Sequence, residues 1–196
     1  MRMLSKFLII LMLTVVSSGA KSASFDEAKA ANARKDYATA IQLWRELAKQ
    51  GDPRALFALG IYYQQGRGVK KDEGEAVRWF LRAARQGHEG SQHALFYAYL
   101  NGQGVPKDYA EAEQWIRPLA EKGFGDPQME LGILCAHNKN FVDAYKWLTL
   151  AKGKKALSQD GATLLNFLHK NMSVADIAKA ERLASEWRPQ SMQTKQ

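Results

Sequence analysis

Apolar residues recur along this chain in two superimposed rhythms. The short one is helical: Ala40, Trp44 and Ala48 fall four residues apart, with Leu43 beside them, and so share one helix face. The long one has a period of 36 residues, kept by Asp36, Asp72 and Asp108 and by Ala40, Ala76 and Ala112. Ala48, Ala84 and Ala120 repeat it, as do Gly51, Gly87 and Gly123, and then Leu59, Leu95 and Leu131. A tag, G-R-G-V at Gly66–Val69, returns as G-Q-G-V at Gly102–Val105. Self-similarity of this length marks stacked supersecondary units that bury their apolar faces against one another.

Each unit predicts two antiparallel helices. Helix A starts at its Asp, which caps free backbone N–H groups. Glu75 and Glu111 complete capping boxes with Asp72 and Asp108, and Thr39 weakens the first box. The alanines permit close approach between helices. The bulky pairs Leu43–Trp44, Trp79–Phe80, Trp115–Ile116 and Trp147–Leu148 supply the apolar area. Gly51, Gly87 and Gly123 accept the left-handed conformation that ends a helix. Helix B is expected to open with a capping Asp and a first-turn Pro, at Asp52–Pro53 and Asp126–Pro127. It faces inward with Leu59, Leu95 and Leu131, and one turn on with Tyr63, Tyr99 and Cys135.

This pattern divides the chain into units at 36–71, 72–107 and 108–139 and a degenerate fourth at 140–170. In the fourth, Asn140 replaces the Asp, 32 residues after Asp108, and His137–Asn138–Lys139 stands where the tag stood. A capping helix is predicted within 21–35, over Phe25–Ala33, with Ser24 and Glu27 as its capping box. A closing helix within 171–188 runs from a Ser173–Asp176 box, with Ile177, Ala180, Leu183, Ala184 and Trp187 as its apolar stripe. Residues 189–196 are expected to be a disordered tail. The expected fold is all-α.

The segment before this array follows another logic. Arg2 and Lys6 precede the apolar run Phe7–Val16, and Ser18 and Ala20 follow in the pattern that signal peptidase accepts. Residues 1–20 are therefore expected to be a signal peptide, with a second possible cut after Ser24. The run has ten residues, against about 20 needed to cross a bilayer. A retained anchor is the rival expectation. After processing no transmembrane anchor remains, and the protein is expected in the periplasm or secreted. Processing removes two cations and no acid, so the formal charge of +8 becomes +6. That balance suits a protein partner with an acidic surface, and nucleic acid is not expected for an exported chain. Cys135, the one cysteine, cannot form an internal disulfide and is expected to be an inert core thiol.

On these residues the chain resembles Sel1-like repeat proteins, relatives of the tetratricopeptide repeats. Asp72, Ala76, Trp79–Phe80, Ala83–Ala84, Gly87–His88 and Leu95 carry the family pattern, followed by Gly102–Gln103–Gly104–Val105. The resemblance covers Asp36–Ala136 and, partly, Asn140–Ala151, and the segment Met172–Trp187 resembles the closing helix of small exported bacterial members. It implies a curved, right-handed α-solenoid of stacked helix-turn-helix repeats that acts as an adaptor or regulator through protein contacts. Cysteine-rich exported relatives are stapled by disulfides and linked to β-lactam binding. This chain lacks those cysteines, so neither property carries over.

No catalytic, cofactor or metal site is expected. The two tags complete neither a P-loop nor a G-x-G-x-x-G fingerprint. His88, His93, His137 and His169 form no H-x-x-x-H pair. Cys135 and His137 are two residues apart, which turns them to different helix faces. The sequence-level candidate is a partner-binding ribbon on the outer side of the A helices: Arg45, Lys49, Arg78, Arg82, Arg85, Arg117 and Lys146. Its expected role is that of an exported interaction scaffold, adaptor or regulator holding an envelope or secreted protein on the concave face. The alternatives are an immunity protein neutralising a secreted toxin and a cell-wall or β-lactam-directed hydrolase. Oligomeric state has no signature in the sequence.

Overall fold

The computed structural model describes residues 24–190, so the expectations for the signal peptide and for residues 191–196 of the tail lie outside the described residues. The expected disorder is corrected at the tail's first two residues, since Pro189 packs on Gly123 and Gln190 bonds Glu121. Within them the chain forms ten helices and no strand. The A helices are α2 (Tyr37–Lys49), α4 (Glu73–Ala84), α6 (Tyr109–Glu121) and α8 (Phe141–Gly153). The B helices are α3 (Pro53–Gln65), α5 (Glu89–Asn101), α7 (Gly125–His137) and α9 (Gln159–Asn171). They are flanked by α1 (Phe25–Ala33) and α10 (Val174–Glu186). From α1 to α9 each helix packs on its chain neighbours, and α10 packs on α8, which gives an α-solenoid in which α1 takes a helix B slot ahead of α2.

The caps form where the repeat puts them, with two corrections. Asp36, Asp72, Asp108 and Asn140 each accept a backbone N–H from the first turn of their A helix. The reciprocal half of the capping boxes is not made. The backbone N–H groups of Asp72 and Asp108 instead donate to the Tyr63 and Tyr99 carbonyls, both at 2.9 Å, tying each A helix to the helix B before it. Glu75 is then free to pair with Arg78. The second correction concerns α7. It starts at Gly125 with Phe124 at its N-cap and no side-chain cap, so Asp126–Pro127 lies inside the first turn. The 36-residue interval from Asp52 and His88 lands on Phe124, and the repeat register overrides the local Asp-Pro signal.

Inward packing also differs by one position. Tyr62, Ala98 and Leu134 are buried, whereas Tyr63 and Tyr99 sit half-buried at the edge and only Cys135 of that set is fully enclosed. Both sets follow Leu59, Leu95 and Leu131 by about one turn, and the residue three on points deeper than the one four on.

The tightest crossing lies between each helix B and the next helix A. A Cβ added to Gly60 would stand 2.3 Å from the Phe80 ring, and one added to Gly132 would stand 2.8 Å from Leu148 Cγ. The middle unit has Phe96 at the equivalent place, and there the facing A-helix residue is Ile116 rather than Phe80. One large apolar side chain, Phe80, Phe96 or Leu148, is thus kept per crossing, carried by either helix. Both ends of the array are closed by an aromatic on a repeat tryptophan. Phe25 of α1 meets Trp44 at 5.2 Å between ring centres, and Trp187 after α10 meets Trp147 at 6.1 Å, both edge-on. α10 lies across α8, burying Ala180 and Ala184.

Gly60→Ala is expected to destabilise the protein by about 1–3 kcal/mol through overpacking against Phe80. Gly153→Ala, where nothing lies within 4 Å of the added carbon, should be neutral or stabilising by about 0.4–1 kcal/mol. Urea denaturation of the two variants checks the contrast.

Candidate functional site

The A-helix ribbon is present but divided. Arg45, Lys49, Arg78, Arg82 and Arg85 are exposed on α2 and α4, whereas Arg117 and Lys146 are half-buried. The cause is the C-terminal segment. Trp187, Arg188 and Gln190 wall a cavity of about 250 Å³ that Arg117 and Lys146 also line, and Gln190 donates to Glu121 at 2.6 Å. Burial lowers the Lys146 ammonium below its usual range. The expected continuous ribbon is therefore interrupted at α6 and α8.

The exposed cations differ in their partners. Lys49 pairs with Glu46 at 2.7 Å, and Arg78 Nε with Glu75 at 2.7 Å. Arg117 pairs with Glu113. Arg45 donates to the Tyr63 hydroxyl at 3.2 Å, and Arg82 lies 4.5 Å from the Trp79 ring centre. Among the described residues no carboxylate lies within ion-pair distance of Arg45, Arg82 or Arg85. These three are the cations that α2 and α4 present uncompensated.

The side chains weighed for chemistry serve structure. Cys135 is buried, and burial, with the nearby Glu113 and Asp143 carboxylates, pushes its thiol up to about 12. His137 turns away to pack, tilted, against the Tyr109 ring, ring centres 4.1 Å apart. No thiolate–imidazole pair is assembled. His88 caps α5 by accepting the Ser91 N–H on Nδ1 at 3.1 Å, which requires that nitrogen unprotonated. Burial lowers its pKa in the same direction. Among the described residues no three His, Cys, Asp or Glu side chains cluster as a metal site would need. No described helix is long and apolar enough to cross a membrane.

The B helices carry a second periodic surface, legible from the same interval. Phe57, His93 and Met129 recur every 36 residues, as do Ile61, Tyr97 and Ile133. Tyr97 and Ile133 are 40% and 38% exposed, an apolar stripe on the face away from the alanines. Beside it His93 Nε2 lies 2.8 Å from Glu130, whose carboxylate also accepts from the Tyr97 hydroxyl. Burial, and then Glu130, push the Tyr97 phenol up to about 12. Glu130 holds His93 above the ordinary imidazole value.

Two expectations follow. Cys135 should resist a thiol reagent such as dithiobis-nitrobenzoate in the native protein and react stoichiometrically once unfolded; fast native labelling would mean that α7 and α8 separate readily. The raised His93 pKa favours the protonated ring in the folded state. Its contribution is complete below the unfolded imidazole value of about 6.5 and disappears as pH rises through the higher folded value. His93→Gln should therefore lower the melting temperature more at about pH 5.5 than at about pH 9, and equal losses at both would show that the ion pair adds nothing.

The Sel1 repeat family model matches residues 29–52, 53–88 and 90–124. Its unit at 53–88 joins a helix B to the following helix A, the pair held by the Gly60–Phe80 crossing. The chain is similar to the crystal structure of a Sel1 repeat protein from Oxalobacter formigenes, at 26% identity and a TM-score of 0.65, over 76% of this chain and 62% of that one. It is also similar to c5321, a protective antigen present in uropathogenic Escherichia coli strains that displays an SLR fold. There the identity is 24% and the TM-score 0.54, over 80% of this chain and 44% of that one. The chain thus spans less than two thirds of either protein. No functionally curated protein matches it significantly. With three matched units, the repeat register and the shared solenoid, the chain belongs to the Sel1 repeat proteins.

Proposed function

We propose that this protein is an exported scaffold that binds an acidic surface of an envelope or secreted protein through the exposed cations of α2 and α4. Sel1 repeats are in general protein-interaction scaffolds, and that is the starting point. The observation that carries the finer reading is the uncompensated set Arg45, Arg82 and Arg85. Lys49 and Arg78 add charge beside them but are partly neutralised by Glu46 and Glu75 on their own helices.

Arginine suits such a face. Its guanidinium stays charged at any accessible pH and offers a fork of donors to a carboxylate. Arg82, already lying on Trp79, presents a rigid apolar and cationic surface together. Contacts of this kind steer encounter and weaken with salt, since charges at an exposed interface are screened within about 8 Å at physiological ionic strength. Arg117 and Lys146 stand outside this surface, because the C-terminal segment walls them in. The export half of the proposal rests on the leader-like residues 1–20. A hydrolase finds no support in Cys135, which is buried with its thiol held protonated.

The test is crosslinking and mass spectrometry of the tagged protein in its native envelope, comparing wild type with Arg82→Glu/Arg85→Glu. One stoichiometric partner is expected, captured at low salt at least about tenfold less by the double variant. Undiminished capture by the variant would remove the α4 cations from the interface.

A further inference from the structure

The cavity between α5 and α7 exists because the chain breaks its own repeat twice at this point. First, Phe96 stands where the flanking units carry Gly60 and Gly132, and its ring forms the floor. Second, the four-residue shortening after α7 removes the glycine tag. In the first unit that tag folds back onto helix A, so closely that a Cβ on Gly68 would stand 2.8 Å from Tyr37 Cβ. In the second, a Cβ on Gly104 would stand 2.3 Å from the Glu73 carbonyl oxygen. Tyr109 is the residue two 36-residue steps after Tyr37. No tag covers it, and it turns to His137 and lines the opening instead.

The result is an apolar groove of about 340 Å³ with Tyr97 and Ile133 at its mouth and Leu100 and Met129 in its walls. Its two ends carry opposite charge. Glu130 is the one carboxylate among the lining residues, its side chain only 10% exposed, with Asp126 close enough to act on the same His93. At the other end Lys107 Nζ lies 4.6 Å from the Tyr109 ring centre. The volume takes one or two apolar side chains and not a whole helix. The charge pattern then selects what flanks them.

We propose that the α5–α7 groove binds a peptide segment of a partner protein that inserts a bulky apolar side chain and turns a neighbouring Lys or Arg toward Glu130. A carboxylate has about four acceptor sites, so Glu130 can take a cation's N–H groups while Tyr97 and His93 hold it in place. Its low exposure makes a matched charge count for more there than at an open surface. Lys107 disfavours a second cation at the Tyr109 end and fixes the direction of the segment. The B-helix groove thus wants a basic, apolar segment, the reverse of what the α2–α4 cations attract.

Two synthetic peptides of one amphipathic design test this, each with phenylalanine and leucine anchors. One carries arginine a helical turn from the phenylalanine and the other carries glutamate. Binding is followed by fluorescence anisotropy and mapped by NMR on isotope-labelled protein. The arginine peptide should bind at least about tenfold more tightly, with shifts centred on Tyr97 and Ile133. Glu130→Gln should erase the preference, Ile133→Lys at the mouth should abolish binding, and Arg82→Glu on the other face should alter neither. If Glu130→Gln does not fold, the peptide preference of the wild type and the Ile133→Lys variant carry the test. Equal binding of both peptides, no binding of either at millimolar concentration, or shifts confined to α2 and α4 would overturn the proposal. So would shifts at Tyr97 and Ile133 on raising protein concentration alone, which would give the groove to a second copy. Their appearance on removing residues 1–20 would give it to the chain's own leader.

Discussion

Everything in this solenoid depends on how closely a helix B can approach the next helix A. At two crossings a glycine removes the Cβ that would otherwise meet Phe80 or Leu148, and at the third Phe96 faces the smaller Ile116. Each crossing buries one large apolar side chain almost completely, worth about 1.5–3 kcal/mol. Apart from the closing segment Trp187–Gln190, which reaches back to Gly123 and Glu121, each unit packs on its neighbours, so stability grows by repetition of this contact. The N–H of each capping Asp, given to the last turn of the helix before it, ties the two helices together at the turn between them.

The same constraint separates structure from candidate function. Positions that keep the interval and face inward, such as Ala40, Ala76 and Ala112, are buried and have no freedom left. Conformation can persist where the residue does not. Lys155 stands in the left-handed conformation, with φ 58°, at the place where three earlier units have Gly51, Gly87 and Gly123. Lys139 does the same at the shortened turn, with φ 60°. Lys155 therefore keeps the turn of its predecessors at a cost of about 1–2 kcal/mol, and Lys139 carries the same cost at a position where Lys71 and Lys107 are not left-handed. Departures of a different kind, Phe96 for glycine and the lost tag, change the surface and open the α5–α7 groove.

Much of this was legible in the sequence because the repeat supplies internal copies to compare. The bounds of α1 coincide with Phe25–Ala33, and the capping role of Ser173 was visible in its spacing from Asp176. Where a local motif competed with the register, the register won, and Asp126–Pro127 fell inside α7. The inward turn of helix B was misplaced onto Tyr63 instead of Tyr62, since a helical wheel does not resolve which of two adjacent residues lies deeper. The ribbon was drawn from helix A alone and so missed the segment Trp187–Gln190, which reaches Gly123 and Glu121 from far along the chain. The Ile61, Tyr97 and Ile133 stripe was open to the same interval test. It was hidden because apolar repeat positions were all assigned to the core.

What the molecule offers a partner follows from the chemistry left exposed. One face ends in guanidiniums, three of which no carboxylate neutralises among the described residues, and the other in aromatic and aliphatic side chains around one well-held carboxylate. The one thiol is enclosed, and burial with nearby carboxylates holds it protonated. A stack of helices can hold two such faces at a fixed separation, because α2 and α4 and then α5 and α7 are consecutive parts of one array. Two partners of opposite charge character would then be held without touching one another, and the register of the repeat, rather than any single side chain, would set the distance between them.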